Sequence, residues 1–283
     1  MATPAADIRL YKNRASYSLH AALAILRHSP VAHVAFVHPG DGKGRPETLM
    51  NIPLITVAVC DEDMDEDDKD SYAVYLHTHK HSGLVEAVSQ GNGTLTASTI
   101  MIDGMVLSPT AHDHTFNYRS ATLHLHNPTV LPSPSSPDTP HHEEKRHALA
   151  VVTDTCTGYD RTSAVGQPMD ANVSGTTVIK CRIAAISCKQ RYGAFNGGQE
   201  PILKSEEGSG GEGEKAFQGV IPCWTQFGSL VGFGKDRQQV QAIFDERSNQ
   251  GRAFSHSAAW ADESAVIEGL GKKRPKNRHE DIY

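Results

Sequence analysis

Long hydrophobic runs are missing from this 283-residue sequence. No stretch approaches the roughly 20 apolar residues that cross a bilayer, and the opening residues, MATPAADIRLYKNR, lack the apolar core of a secretory signal. The expectation is a cytoplasmic protein with no membrane partner. Cysteine is scarce, with five residues at Cys60, Cys156, Cys181, Cys188 and Cys223 and no CxxC pair. An odd count without paired spacing argues against a disulfide framework and for reduced thiols. Excess positive charge is missing too. A formal net charge of −6 argues against a chain that binds nucleic acid through its overall charge. There is no GxSxG, no HExxH and no Walker GxxxxGK[ST], so the familiar hydrolase, zinc-protease and nucleotide-phosphate motifs are excluded. The GNGTLTAS stretch follows a helix and leads into a strand, the reverse of the context a dinucleotide fingerprint needs.

What is present is turn-rich and strand-rich. Gly (24) and Pro (15) are plentiful, which favours turns over long helices. Residues 15–28 carry Leu19, Leu23 and Leu26 at helical spacing, with Ser16 or Ser18 as cap. VAHVAFVHPG and TLMNIPLITVAVC read as strands, and Pro53 inside the second suggests an edge or a bulge. SYAVYLHTH reads as a strand, GLVEAVSQG as a short helix, and TLTASTIMIDGMVLS as two strand segments around an Asp103-Gly104 turn. NYRSATLHLH is a strand, HEEKRHALAVVTDTC an amphipathic helix, TTVIKCRIAAISCKQRY a long strand and FQGVIPCW the start of a last one.

Three inserts stand out: acidic 61–70, Pro/Ser-rich 128–142 and Gly/Glu-rich 205–215. The acidic insert lacks the glycine and glutamate of a calcium loop and reads as a solvated turn. These limits define an N-terminal arm over 1–14, a main domain over 15–234 and a tail over 235–283. The tail carries a helix at DRQQVQAIFDERSNQ and a basic, solvated end at 272–278. Strands dominate and no regular βαβ alternation appears. The sequence therefore predicts a mainly β fold, a closed antiparallel barrel with peripheral helices.

Two stretches could carry chemistry. His77 to Gly83 (HTHKHSG) joins a strand to a helix, where backbone N–H groups, the hydroxyls of Thr78 and Ser82 and the charge of Lys80 suit a phosphate. The alternation of His77, His79 and His81, in a chain with 16 histidines, also suits a transition metal if the backbone is extended. The second stretch is 112–120 (HDHTFNYRS). Arg119 offers a fixed fork of donors, Asn117 and Ser120 suit the polar edge of a flat heterocycle, and His114 or Tyr118 suits its face. His77 and His114 are candidate proton donors because imidazole titrates near neutrality.

In order along the chain, HSPVAHVAFV, NIPL, YAVYLHTHKHSG, IDGMVLSPTAHDHTFNYRSA, EEKRHAL, ISCKQRYG and FQGVIP resemble the pyridoxamine 5'-phosphate oxidase-like flavin-nucleotide-binding proteins. That group includes the nitroimidazole-resistance proteins. The most specific piece, DGMVLSPTAHDHTFNYRS, resembles the family's NYRS segment. The resemblance implies a six-stranded antiparallel split β-barrel that forms a homodimer with FMN between subunits. It sets His77, Thr78, Lys80 and Ser82 near the phosphate, with Asn51, Ile52 and Pro53 beside the isoalloxazine ring. Asn117, Tyr118, Arg119 and Ser120 approach along the NYRS strand, and Trp224 closes the pocket. The implied activity is reduction of a small organic acceptor through FMN, with NAD(P)H as donor. A non-catalytic flavin-binding protein and a histidine-based metal or haem protein are the alternatives. Gly83-Leu84 stand where split-barrel oxidases commonly carry an Arg-Lys pair, so a phosphate would rest on Lys80, Arg119, hydroxyls and backbone amides.

Overall fold

The computed structural model describes residues 6–40, 44, 46–91, 93–108, 111–132, 139–194 and 217–262. The insert at 205–215 and the basic end at 272–278 lie outside them. Eight strands form one antiparallel sheet: β1 (Ala15–Ser16), β2 (Val31–His38), β3 (Thr48–Cys60), β4 (Tyr72–Thr78), β5 (Thr94–Leu107), β6 (Thr115–Val130), β7 (Thr177–Arg191) and β8 (Gly219–Pro222). The helices are α1 (Leu19–His28), α2 (Gly83–Ser89), α3 (Pro140–Thr157), the short α4 (Thr162–Val165) and α5 (Asp170–Gly175), and α6 (Arg237–Ala259). A mainly antiparallel β fold with peripheral helices was expected and is found.

Six strands close on themselves. β7 pairs β4, then β3, β2, β5 and β6 follow, and β6 pairs β7 again. The interior holds alternate residues of each strand, including Val34 and Phe36 of β2, Leu95 and Ala97 of β5, Leu123 and Leu125 of β6, and Ile179, Cys181 and Ile183 of β7. Period-two alternation turns one face of every strand inward. α1 packs on this interior with Leu19, Ala22, Leu23, Ile25 and Leu26. Ser18 caps it, its side chain accepting from Ala21 N, and the helix stops at Ser29, ahead of Pro30, whose ring disfavours helical backbone in the residue before it.

A second core lies on the other side of β3, β4 and β7. There Ala148 and Val152 of α3 cover Val57, Ala73, Tyr75 and Val178. Thr139 caps α3, Pro140 occupies its first turn, and Gly158 ends it at φ 75°, a conformation glycine adopts without strain.

Three readings change. TLTASTIMIDGMVLS is not two strands around a turn. β5 is continuous, with a register shift against β6 between Ile102 and Gly104. The Asp103-Gly104 pair marks a bulge, and β8 lies along it, Gly104 opposite Pro222. A Cβ on Gly104 would meet Val220 Cγ1 at 2.9 Å, so glycine is required by close approach. The irregular insert at 128–142 is shorter than expected, because β6 runs to Val130 and α3 begins at Pro140. The tail helix is longer than DRQQVQAIFDERSNQ. It continues to Ala259 because its end has packing partners: Ser255 Oγ donates to Cys223 O, and Gly193 N donates to Ala258 O at 2.7 Å. Pro53 meets expectation. It pairs with His33 of β2, while β4 pairs β3 only from Thr56 onward, leaving the other edge of Pro53 free of the ladder.

Candidate functional site

The residues expected around a cofactor fall into two groups at opposite ends of one sheet face. The first group forms where β3 runs past the end of β4. Thr56 pairs with Leu76, so the residues after Thr78 draw level with the unpaired edge of β3 that carries Asn51 and Pro53. Asn51 and Pro53 point outward and are exposed, whereas Ile52 points to the interior. The β4–α2 connection is rich in unused donors. Lys80 is exposed, and no hydrogen bond or ion pair engages the Lys80 ammonium or the Thr78 hydroxyl among the described residues. Ser82 caps α2 by accepting from Val85 N at 3.3 Å, and its own proton stays available. His77 is half-buried, with Nδ1 buried and unpartnered. Burial lowers its pKa below 6.5 and favours the neutral ring.

Gly83 abuts a neighbour. A Cβ there would stand 3.2 Å from the ring of His38, whose Nε2 lies 3.2 Å from a Glu86 carboxylate oxygen. A long side chain at this position would displace His38.

The second group lies on β6 and is divided by the pleat. Tyr118 and Ser120 face outward. Asn117 and Arg119 face inward and are buried. Arg119 forms a bidentate pair: Nε and Nη2 donate to the two Asp103 carboxylate oxygens at 2.9 and 2.7 Å, and the Phe254 ring of α6 stacks 3.6 Å from the guanidinium. Burial raises the Asp103 pKa, opposed by the hydrogen bond and charge of Arg119. Asn117 donates to Gly193 O at 3.1 Å and accepts from Arg191 Nη1. Burial lowers the Arg191 pKa to about 10. These two residues fasten β6 to β7 and α6, and both point away from the outer face.

Trp224 joins this group through Cys223, whose N–H donates to Asp103 O at 3.1 Å. Its ring is tilted against His256 of α6, with centroids 6.1 Å apart. His114 stands exposed just before β6.

Between the groups runs an uncovered surface. Asn51 pairs with Ala35, Ala35 with Thr96, and Ile102 with Tyr118. All lie on the outer face, and Thr96 to Ile102 spans about 20 Å of strand. The Tyr118 end is apolar: Ile100, Ile102, Met105, Phe116 and Ile221 are 40–54% exposed. Sequence reading missed this strip, although the alternation of IMIDGM carries its signal.

The histidine alternation does not build a metal centre. β4 ends at Thr78, so His79 and His81 lie in a turn, rings 5.3 Å apart, with His79 Nδ1 accepting from His81 N–H. Among the described residues no group of three or more His, Cys, Asp or Glu side chains gathers. No helix among them is long and apolar enough to cross a membrane.

No family profile matches the chain, and no curated protein matches it in sequence. Solved structures do match in fold. The FAD and haem binding protein from Mycobacterium smegmatis superposes with a TM-score of 0.56 at 22% identity, over 78% of this chain and 90% of that one. A flavocytochrome from Azotobacter vinelandii gives a TM-score of 0.56 at 20% identity, over 84% of this chain and 96% of that one. Both likenesses establish a shared fold.

Proposed function

We propose that the chain is a flavin-binding protein of the split-barrel class, acting as a homodimer that holds FMN between two copies and reduces a small organic acceptor with NAD(P)H as donor. The observation that carries this reading is the division of the outer face into two half-sites. One end offers unused donors at Thr78, Lys80 and Ser82, beside Asn51 and Pro53. The other offers a flat apolar strip edged by Tyr118 and Ser120. The ends stand too far apart for one isoalloxazine ring within one copy. A two-fold axis through the face brings the donor end of each copy to the apolar end of the other. The names of the two similar structures, one for FAD and haem and one as a flavocytochrome, favour a flavin ligand, and the NYRS resemblance favours FMN.

The residues fit such a nucleotide in part. Lys80 supplies charge, Thr78 and Ser82 supply hydroxyl donors to phosphate oxygens, and Tyr118 with Ile100 and Ile102 excludes water from one ring face. Arg119 is assigned to the scaffold. Redox chemistry is supplied by the flavin itself, with position and electrostatics from the chain.

The test is retention of FMN or FAD through gel filtration, read by absorbance together with molar mass. Retained FMN on a dimer, bleached by NAD(P)H and restored by an acceptor, supports the enzyme. Retention without bleaching supports a flavin carrier, and a haem spectrum in place of flavin supports the haem alternative. A colourless monomer that ignores added flavin sinks the proposal.

A further inference from the structure

The N-terminal arm lays a basic and aromatic cluster against the β7 side of the outer face, and no acid answers it. β1 pairs with the end of β7, Ala15 opposite Lys189, and Lys189 in turn lies opposite Ser120 of β6. A single 3-10 turn, Lys12–Arg14, precedes β1 and sets the Arg14 guanidinium over the Tyr11 ring, Cζ 4.4 Å from its centroid. Lys189 Nζ stands 5.4 Å from the same centroid. One electron-rich ring therefore gathers two cations that would otherwise repel. Tyr11 holds φ 55°, a left-handed conformation uncommon in an aromatic residue, and Arg14 N donates to Tyr11 O at 2.9 Å to close the turn.

Among the described residues, the Arg14 guanidinium and the Lys189 ammonium make no hydrogen bond or ion pair, and neither does the Tyr118 hydroxyl. A third cation lies beneath them. Arg191, opposite Tyr118, is buried and donates only to neutral oxygens, those of Asn117, Gly193 and Ala194. The acid of the arm, Asp7, stands 3.8 Å from Arg9 and accepts from Tyr17 Oη at 3.4 Å. Burial and the charge of Arg14 lower the pKa of both Lys189 and Arg191, and no carboxylate opposes either shift. Three positive charges thus share one place without an anion, which is unfavourable until a bound anion supplies the opposite charge. The place is open to solvent: Tyr11 is 42% exposed, and Arg14, Lys189 and Tyr118 are half-buried.

We propose that Arg14 and Lys189 form a binding site for a dianionic phosphate monoester, with the Tyr118 hydroxyl as a further donor. Two free cations balance two negative charges, and the guanidinium fork matches two phosphate oxygens. A single carboxylate would leave one cation unanswered. The site lies at the Tyr118 end of the face, apart from Lys80, and the geometry that defines it does not depend on flavin binding.

The experiment titrates the full chain with inorganic phosphate at constant ionic strength, read by calorimetry and by phosphorus NMR line broadening, with acetate and chloride as controls. Phosphate and sulfate are expected to bind, and acetate is not. In Lys189→Met and in Arg14→Gln, phosphate affinity should fall by about 10-fold or more, the scale of a lost charge-assisted hydrogen bond. Paired ligands then separate the sources of the phosphate group. Inorganic phosphate that displaces FMN but spares riboflavin marks the flavin's own phosphate. An advantage of NADPH over NADH that disappears in Lys189→Met marks the phosphate of the donor. Equal phosphate affinity in the unaltered chain and both variants, or a response that chloride matches, overturns the proposal. A chain that ignores phosphate yet retains flavin loses this site alone, and one that binds phosphate without retaining flavin keeps it.

Discussion

The two ends of the outer sheet face use polar side chains in opposite ways. At the β6 end, Arg119, Asp103, Asn117 and Arg191 satisfy one another and the backbone around Gly193. They also pin α6 through Phe254. At the β4–α2 end, the Thr78 hydroxyl and the Lys80 ammonium bond to nothing among the described residues, and His77 Nδ1 is an orphan. Saturated polar groups hold a fold together, whereas unsaturated ones at a surface await something else. A charged residue in a family-like motif therefore belongs to the scaffold when its charge is buried and paired inside the fold, as that of Arg119 is with Asp103.

Substitutions can break this contrast. The largest effect is expected from Arg119→Ala, which leaves Asp103 buried without its partner. A loss of about 3–5 kcal/mol is expected in denaturant titration, and Asp103→Ala added to it should restore part of the loss. If Arg119→Ala leaves stability intact and weakens only flavin binding, the assignment of Arg119 to the scaffold is wrong. Gly104→Ala comes next. It forces β8 away from β5 at a cost of about 1–3 kcal/mol, visible as faster amide hydrogen exchange at Val220.

At the other end the pattern should invert. Lys80→Ala should change stability by less than about 0.5 kcal/mol yet weaken flavin binding by about 10- to 150-fold. Equal flavin affinity in the variant would remove Lys80 from the site.

The smallest effect concerns pH. Burial lowers the pKa of His77, and also those of His28 and His124, where burial is the largest cause in each case. Below 6.5 the unfolded chain then binds more protons than the folded one. Stability is fully present above 6.5 and declines as pH falls through the lowered values. His77→Gln should flatten part of that decline in thermal unfolding, and an unchanged pH profile would show that His77 protonates freely.

Much of this was legible in the sequence for physical reasons. Alternation in TTVIKCRIAAISCKQRY and capping at Ser18 are local signals, and the structure follows them. The site was legible as segments but not as a constellation. In NYRS, period two sends Tyr118 and Ser120 one way and Asn117 and Arg119 the other, so four consecutive residues could never serve one ligand. The pairing of Arg119 with Asp103 depends on a bulge that DG spacing mimics as a turn. Burial of Lys145 was legible in principle. The residue falls on the helical stripe with Ala148 and Val152, but a lysine in EEKRHAL reads as solvated until the packing of α3 is known.

The closing of the ring by β7 has a consequence for how the chain acquires its structure. Thr78 pairs with Thr177, and Tyr118 pairs with Arg191. β2 to β6 can zip together early as a curved sheet. Until β7 has left the ribosome, β4 and β6 each present a row of unpaired amides and carbonyls, and such open edges recruit other chains. A slow, concentration-sensitive phase is therefore expected in refolding, as one late strand arrives at two waiting edges.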